Sequence, residues 1–381
     1  MIRIGIDARF WNETGVGRYT RNLIEQLQQL DKRNEYLLFA RSKDYKQIKL
    51  QLSNVNFQIK IADIHWHSFE EQIKFPKILR KENLDLMHFP YFSIPILYSK
   101  PFIITIHDLI LHHFATGEAT TKSQLTYKTK LLAYKFIIQT AAQKSQKIIT
   151  VSKTNKQEII DHLHVPAEKV SVIYEGVDKK IIAKPETHDT KLQLEDKNYF
   201  LHVGNLYPHK NTGVLLQAFQ KLKDKKEFQA KLYIVGKKDY FYQKFNQKVK
   251  DMKLEDKIIL FGELTDKELA NLYQHALAMI SPSLMEGFDL PTVEAMANEC
   301  LVLASDIPVH REICKDAAIY FQSNNCDDLM IKLQDIAAAP KNENKKKLEL
   351  GLAIAKQFSW EKMAKQTIEI YESCLNLRQS Q

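Results

Sequence analysis

SPSLMEGFDLPTVEAMANECLVLASDIPVHREI, residues 281–313, sets the architecture. A β-rich run ends at Ser281, a loop carries Glu286 and Gly287, and Pro291 stands where the first helical turn accepts a residue without an N–H. A second apolar run, Val302–Ala304, follows the helix. Strand, loop, helix and strand in so short a space is the repeating unit of a parallel sheet covered by helices. Glu286 falls on the loop and Glu294 on the first helical turn, eight residues later. The backbone N–H groups of Phe288, Asp289, Leu290 and Thr292 are expected to face an anion at this helix start. Two carboxylates beside it are placed to accept from neutral hydroxyls. An anion site flanked by hydroxyl acceptors suits a sugar nucleotide. Ordinary helix-start chemistry, which also favours acids in the first turn, is the alternative.

Outward from this stretch the same alternation extends in both directions. Tyr199–Val203, Lys231–Val235, Ile258–Phe261, Ala278–Ser281 and Val302–Ala304 read as strands, separated by helical patterns. An earlier series comprises Ile2–Ile6, Tyr36–Phe39, Val55–Ile61, Leu86–Phe89, Phe102–Ile106, Lys147–Val151 and Val170–Ile173. Between the two series the periodicity fails. The expected division is a first domain at 1–180, a linker at 181–198 and a second domain at 199–358. A closing helix at 359–381 is expected to pack back on the first domain. Two Rossmann-like α/β domains facing across a cleft follow from two such series.

Two further segments invite an anion. YFLHVGNLYPHKN, residues 199–211, runs from a strand into a turn carrying His209 and Lys210. Ligands of open α/β sheets bind beyond the carboxyl ends of strands, where a fixed ammonium suits a diphosphate; a solvated turn is the plainer alternative. ETGVGRYTRNL, residues 13–23, places Gly15 and Gly17 before a helix, which admits a close backbone approach or simply a tight turn. Thr20 stands where a dinucleotide fingerprint needs its third glycine, so no nicotinamide site is expected.

Composition narrows the class. Apolar residues make up 44% and charged residues 27% of 381, ordinary for a globular enzyme of two domains. The 4 cysteines, Cys300, Cys314, Cys326 and Cys374, form no C-x-x-C pair, so neither a disulfide framework nor a zinc ribbon is expected and a reducing, cytoplasmic setting fits. MIRIGI reads as a buried first strand with no signal peptide before it, and no apolar run reaches membrane-spanning length. The net charge of +9 resides in residues 1–183, which hold 27 Lys+Arg against 18 Asp+Glu, whereas 184–381 hold 28 of each. Residues 119–157 carry 8 lysines and no acid, interleaved with Leu125, Leu131, Leu132, Phe136, Ile137 and Ile138. Weak contact with an anionic membrane surface is the expectation there. Nucleic acid would also answer to positive charge, but the stacking interleave of aromatic and basic residues is absent.

The ordered motifs resemble the retaining GT-B glycosyltransferases, within them the large bacterial family of mannosyl- and glucosyltransferases of the family 4, "group 1" type. They are G-V-G-R-Y at 15–19, T-I-H-D-L at 105–109, I-T-V-S-K at 149–153, E-G-V-D at 175–178, P-H-K-N at 208–211, E-G-F-D-L-P-T-V-E-A-M-A at 286–297 and F-S-W-E-K at 358–362. The resemblance covers essentially the whole chain. It implies that Glu286 contacts the donor hexose hydroxyls, Glu294 the ribose hydroxyls and Lys210 the donor diphosphate. It further implies that Gly15 and Gly17 let the first domain close over that diphosphate, with His107 facing the sugar near the reacting carbon. Transfer would retain the anomeric configuration without a metal or other cofactor, since no D-x-D lies on a loop. The donor would be a nucleoside-diphosphate sugar, GDP-mannose first and a UDP-sugar second. The acceptor would be a glycan or a lipid-linked sugar in surface polysaccharide synthesis. An epimerase, or an inactive homologue that still binds donor, is the alternative. Three departures from the family pattern stand out. His209-Lys210 replaces a common Arg-Lys pair. Asp289 replaces a glycine, adding a carboxylate that would repel a diphosphate unless it caps the helix or bonds the sugar. Asn298-Glu299-Cys300-Leu301 replaces a Gly-x-Pro turn.

Overall fold

A computed structural model describes residues 2–114, 124–182, 198–340 and 342–379. Most of the expected linker, 183–197, and positions 119–123 of the lysine-rich stretch lie outside the described residues. The chain divides into two units: one runs to Gly176 and resumes at Ser359, the other is Val177–Phe358.

The first unit is built on β1 (Arg3–Asp7), β2 (Glu35–Ala40), β3 (Phe57–Ile61), β4 (Leu86–Phe89), β5 (Phe102–Ile106), β6 (Ile148–Thr150) and β7 (Val170–Val172). The second holds β8 (Tyr199–Val203), β9 (Lys231–Val235), β10 (Ile258–Gly262), β11 (Ala278–Ser281), β12 (Val302–Ser305) and β13 (Ala318–Phe321). All pairs are parallel, in the orders β3-β2-β1-β4-β5-β6-β7 and β10-β9-β8-β11-β12-β13. Strands such as Phe102–Ile106 and Ala278–Ser281 are buried throughout, because helices cover both faces of a parallel sheet. Both sheets are doubly wound, and the strand order reverses between β1 and β4 and again between β8 and β11.

β13 is absent from the sequence reading. Only its end residues, Ala318 and Phe321, are buried, so the run carries no clear period. The helix Trp360–Gln379 belongs to the first unit. Trp360, Met363, Ala364, Thr367, Tyr371 and Cys374 form its buried stripe, and the Tyr371 hydroxyl lies 2.7 Å from Nδ1 of His88 on β4. At the end of β1, the buried Arg9 guanidinium bonds both oxygens of Asp7 and, at 2.6 Å, Oε1 of Glu71. Burial opposes its charge, and those two carboxylates more than restore it.

The helix Leu290–Ala297 ends where the family's Gly-x-Pro is missing. Glu299 takes the left-handed conformation, φ 54°, that glycine usually supplies. The Cys300 amide donates to Ala295 O at 2.9 Å and the Glu299 amide to Met296 O at 3.2 Å. These are the two bonds of a Schellman cap, so the turn closes as a glycine turn would.

Candidate functional site

β8 and β11 are neighbours at the reversal point of the second sheet, and the loops leaving their carboxyl ends carry the sequence's two strongest signals. After β8 the chain passes through Gly204 at φ 146°, a conformation open in practice to glycine alone. A single 3₁₀ turn, Pro208–Lys210, then presents His209 and Lys210. After β11 come Ser283 and Glu286. Lys210 Nζ donates to Glu286 Oε1, which also accepts from Ser283 Oγ at 2.6 Å. The Leu284 amide donates to His209 O at 2.8 Å, binding the two loops together through backbone. Burial pushes the Glu286 carboxyl upward in pKa; the Lys210 ammonium pulls it back, and the negative charge of Asp289 adds to the rise. His209 is held neutral, near 3, by burial and then by Lys210. Lys210 therefore carries the positive charge of this turn at neutral pH.

Asp289 is buried and left-handed, at φ 70°, which explains why the family pattern carries glycine there. Its side chain makes no capping bond to the helix. It turns instead to Ser281 Oγ at 2.6 Å and His310 Nε2 at 3.0 Å, while His310 Nδ1 lies 2.8 Å from Ser305 O. Glu294 is buried on the helix, and its Oε2 accepts from the Tyr273 hydroxyl at 3.0 Å. The expected row of anion-facing amides is corrected in part. Pro291 has no N–H, and the amide of Thr292 is spent on Asp289 O at 3.0 Å, with its hydroxyl on the same oxygen at 2.7 Å. Phe288 is buried, edge-on to Phe358 with ring centroids 5.3 Å apart. Nε2 of His202 on β8 and Nδ2 of Asn211 are buried polar atoms without a hydrogen-bond partner among the described residues.

His107, Gly15 and Gly17 lie in the first unit. His107 follows β5; its Nε2 lies 3.0 Å from Pro90 O, a pure acceptor, and its Nδ1 3.2 Å from Glu175 Oε1. The Tyr19 ring meets His107 edge-on at 4.8 Å, and the Tyr19 hydroxyl lies 3.3 Å from Thr105 Oγ1. The motifs at 15–19, 105–109 and 175–178 thus converge. The two glycines differ. A Cβ on Gly17 would sit 2.6 Å from Phe10 O, so its own loop demands glycine, whereas a Cβ on Gly15 would meet nothing within 4 Å. Tyr273, His310, Ser281 and Glu175 were given no role by sequence reasoning. The two serines flanking Pro282 and the Glu of E-G-V-D were visible signals; Tyr273 and His310 had none beyond their chemistry.

Two doubly wound parallel units, one presenting an ammonium and carboxylates at its reversal point, define an α/β enzyme of the GT-B class. Residues 14–180 match the family described as Glycosyltransferase Family 4, and residues 184–349 match Glycosyl transferases group 1. Together the matches span most of the chain, and the protein belongs to this family of GT-B glycosyltransferases. It is 29% identical to the O-antigen chain mannosyltransferase RfbU of Salmonella typhimurium, over 76% of this chain and 75% of the relative. It is likewise 29% identical to the O-antigen chain mannosyltransferase B of Escherichia coli, over 75% of this chain and 74% of the relative. In fold it resembles a glycosyltransferase from Rickettsia africae, with a TM-score of 0.74 at 20% identity over 98% of each chain. No helix among the described residues is long and apolar enough to cross a membrane.

Proposed function

We propose that this glycosyltransferase moves a hexose, mannose in the first instance, from a nucleoside-diphosphate sugar to a glycan or lipid-linked acceptor in surface polysaccharide synthesis. The observation that carries the reading is the Lys210–Glu286 pair at the reversal point of the second sheet. A donor competes for both partners: its diphosphate for the ammonium, its hexose hydroxyls for the carboxylate. Glu294, braced by Tyr273, is assigned the ribose hydroxyls. The backbone and apolar side chains at Phe288 and Leu290 frame the helix entry, and His209 serves as a neutral hydrogen-bonding partner. The unpartnered His202 and Asn211 atoms beside this turn fit a site that a polar ligand completes. Mannose is supported by the activity named for RfbU and for the E. coli relative.

Transfer is assigned retention, without a metal. The bond from the anomeric carbon to the diphosphate oxygen breaks, the acceptor oxygen bonds to that carbon from the same face, and its proton passes to the departing phosphate oxygen. The chain's task is to stabilise charge on the leaving group, which Lys210 does electrostatically. His107, oriented through both ring nitrogens, is assigned to the sugar, with Gly15 and Gly17 on the diphosphate side.

A thermal-shift panel of nucleoside diphosphates and their sugars tests this. Ligand at about a hundred times its dissociation constant adds about 2.7 kcal/mol of stability. GDP-mannose is expected to give the largest rise. A larger rise with a UDP-sugar would replace the mannose assignment, and no response to any nucleotide would overturn the donor site itself. Chelator is expected to leave turnover intact, and a loss restored by manganese would end the metal-free assignment.

A further inference from the structure

In the first unit, three side chains of metal-ligating type that were given no role above converge from two helices. The short helix Ile110–His113 ends in His113, and the helix Lys153–Leu163 presents Glu158 and His162 one turn apart on one face. His113 Nε2 lies 2.6 Å from Glu158 Oε2, and His162 Nε2 lies 3.4 Å from the same oxygen. The two imidazoles meet edge-on with ring centroids 4.9 Å apart. All three ligand atoms lie within 4.8 Å of one another, the one such cluster among the described residues.

We propose that His113, Glu158 and His162 bind a divalent transition metal, zinc by preference. Two neutral imidazoles and one carboxylate are a ligand set that first-row metals favour over calcium or magnesium. The geometry is nearly formed. Zinc bonds of about 2.0–2.1 Å at tetrahedral angles hold adjacent ligand atoms about 3.4 Å apart. His162 and Glu158 already stand at that spacing; His113 must open slightly, and the remaining pair must close by less than about 1.5 Å. Rotation of half-exposed side chains accomplishes this, since their side-chain exposures are 35%, 31% and 41%. The same exposure leaves the remaining coordination positions open to water. His112 supports the cluster: its Nδ1 lies 2.8 Å from the Tyr134 hydroxyl, and its ring packs 5.9 Å from that of His162. A bound ion would tie the segment after β5, which carries His107, to the helix Lys153–Leu163. The proposal stands independently of the donor assignment.

The test uses the full chain, stripped with chelator and titrated calorimetrically with zinc chloride at neutral pH. The expected result is one zinc per chain and a raised Tm. His113→Ala and His162→Ala should each weaken binding at least about tenfold, the scale of losing even an outer-sphere partner. Glu158→Gln should weaken it similarly, while His164→Ala, at the exposed end of the same helix, should leave it unchanged. Cobalt added to the unsubstituted chain supplies a readout free of folding questions, a visible d–d band of low-symmetry coordination that zinc then bleaches. Zinc bound equally by the His113→Ala/His162→Ala double variant, or no stoichiometric binding and no cobalt band in the unsubstituted chain, would overturn the proposal.

Discussion

The carboxylate of Asp289 lies 3.0 Å from Nε2 of His310 and 2.6 Å from Oγ of Ser281, and all three side chains are buried. Burial pushes its pKa upward, but the His310 bond and the Lys210 charge bring it down to about 2. The charge that would have opposed a diphosphate is therefore met within the fold. Backbone and side chain make separable contributions here. Asp289→Gly loses the buried acceptor, about 1–3 kcal/mol. Asp289→Ala loses it too and keeps the Cβ in the left-handed region, a cost of about 1–2 kcal/mol that the glycine variant is spared. Urea unfolding should rank the glycine variant above the alanine variant by about 1 kcal/mol. Equal stabilities would mean that the conformation at 289 is not what glycine serves.

Lys210 is the charge assigned to the leaving group. Lys210→Ala should cost about 10²–10³ in turnover, or about 2.7–4 kcal/mol of transition-state stabilisation. It also leaves Glu286 without its ammonium, so the carboxyl's pKa rises further. Turnover near the unsubstituted value in a folded variant would remove Lys210 from the mechanism.

Tyr273 acts through Glu294. Tyr273→Phe deletes the hydroxyl 3.0 Å from Oε2 and should weaken nucleotide binding by about 1.5–3 kcal/mol, the range for a bond to a charged group. Because the ribose does not react, KM should rise while kcat holds. A fall in kcat at unchanged KM would place Glu294 elsewhere in the cycle.

Acid should destabilise the fold before its carboxylates titrate. Burial holds His88 near 3 and His202 near 4, with the charges of His107 and Lys210 respectively adding to the depression. The unfolded chain takes up those protons near pH 6.5, whereas the folded chain refuses them until far lower. The stabilising difference is complete above about pH 6.5 and declines as pH falls, by about 1.4 kcal/mol per pH unit for each histidine. Stability measured from pH 7 downward should fall ever more steeply, approaching that slope only below about pH 5.5. His202→Gln, which keeps a donor for the Ile280 carbonyl, should remove one histidine's share. A flat profile would mean that the two imidazoles accept protons in place.

The membrane contact expected of residues 119–157 would use the exposed face of the helix Gln124–Lys144. Leu132 is 69% and Phe136 62% exposed, and Lys128 and Lys135 flank them on that face. The full chain should sediment with vesicles containing anionic lipid at low salt and release at high salt. Leu132→Ser/Phe136→Ser should reduce binding more than it alters stability, because both side chains are already in water. Binding unchanged in that variant would exclude this face.

Much of the donor site is readable from the chain because its parts sit at element ends that local chemistry marks: Pro208 and Pro291 at helical starts, Ser281 closing an apolar run. The orientation of those parts is not readable. Asp289 looked like a charge opposed to the ligand, and only His310, 21 residues on, shows where that charge goes. Gly15 and Gly17 look alike in sequence, yet a loop carbonyl packs against one and nothing against the other. β13 lacked a period because it is an outer strand buried only at its two ends.

The amino-acid order alone determined the two α/β series and the placement of each candidate beside a strand end, because periodicity, capping and turn chemistry act over a few residues. The tertiary structure decided that β8 lies beside β11. Strand pairing is settled by packing across the whole sheet, and that neighbourhood brings Lys210 and Glu286, 76 residues apart, into one ion pair.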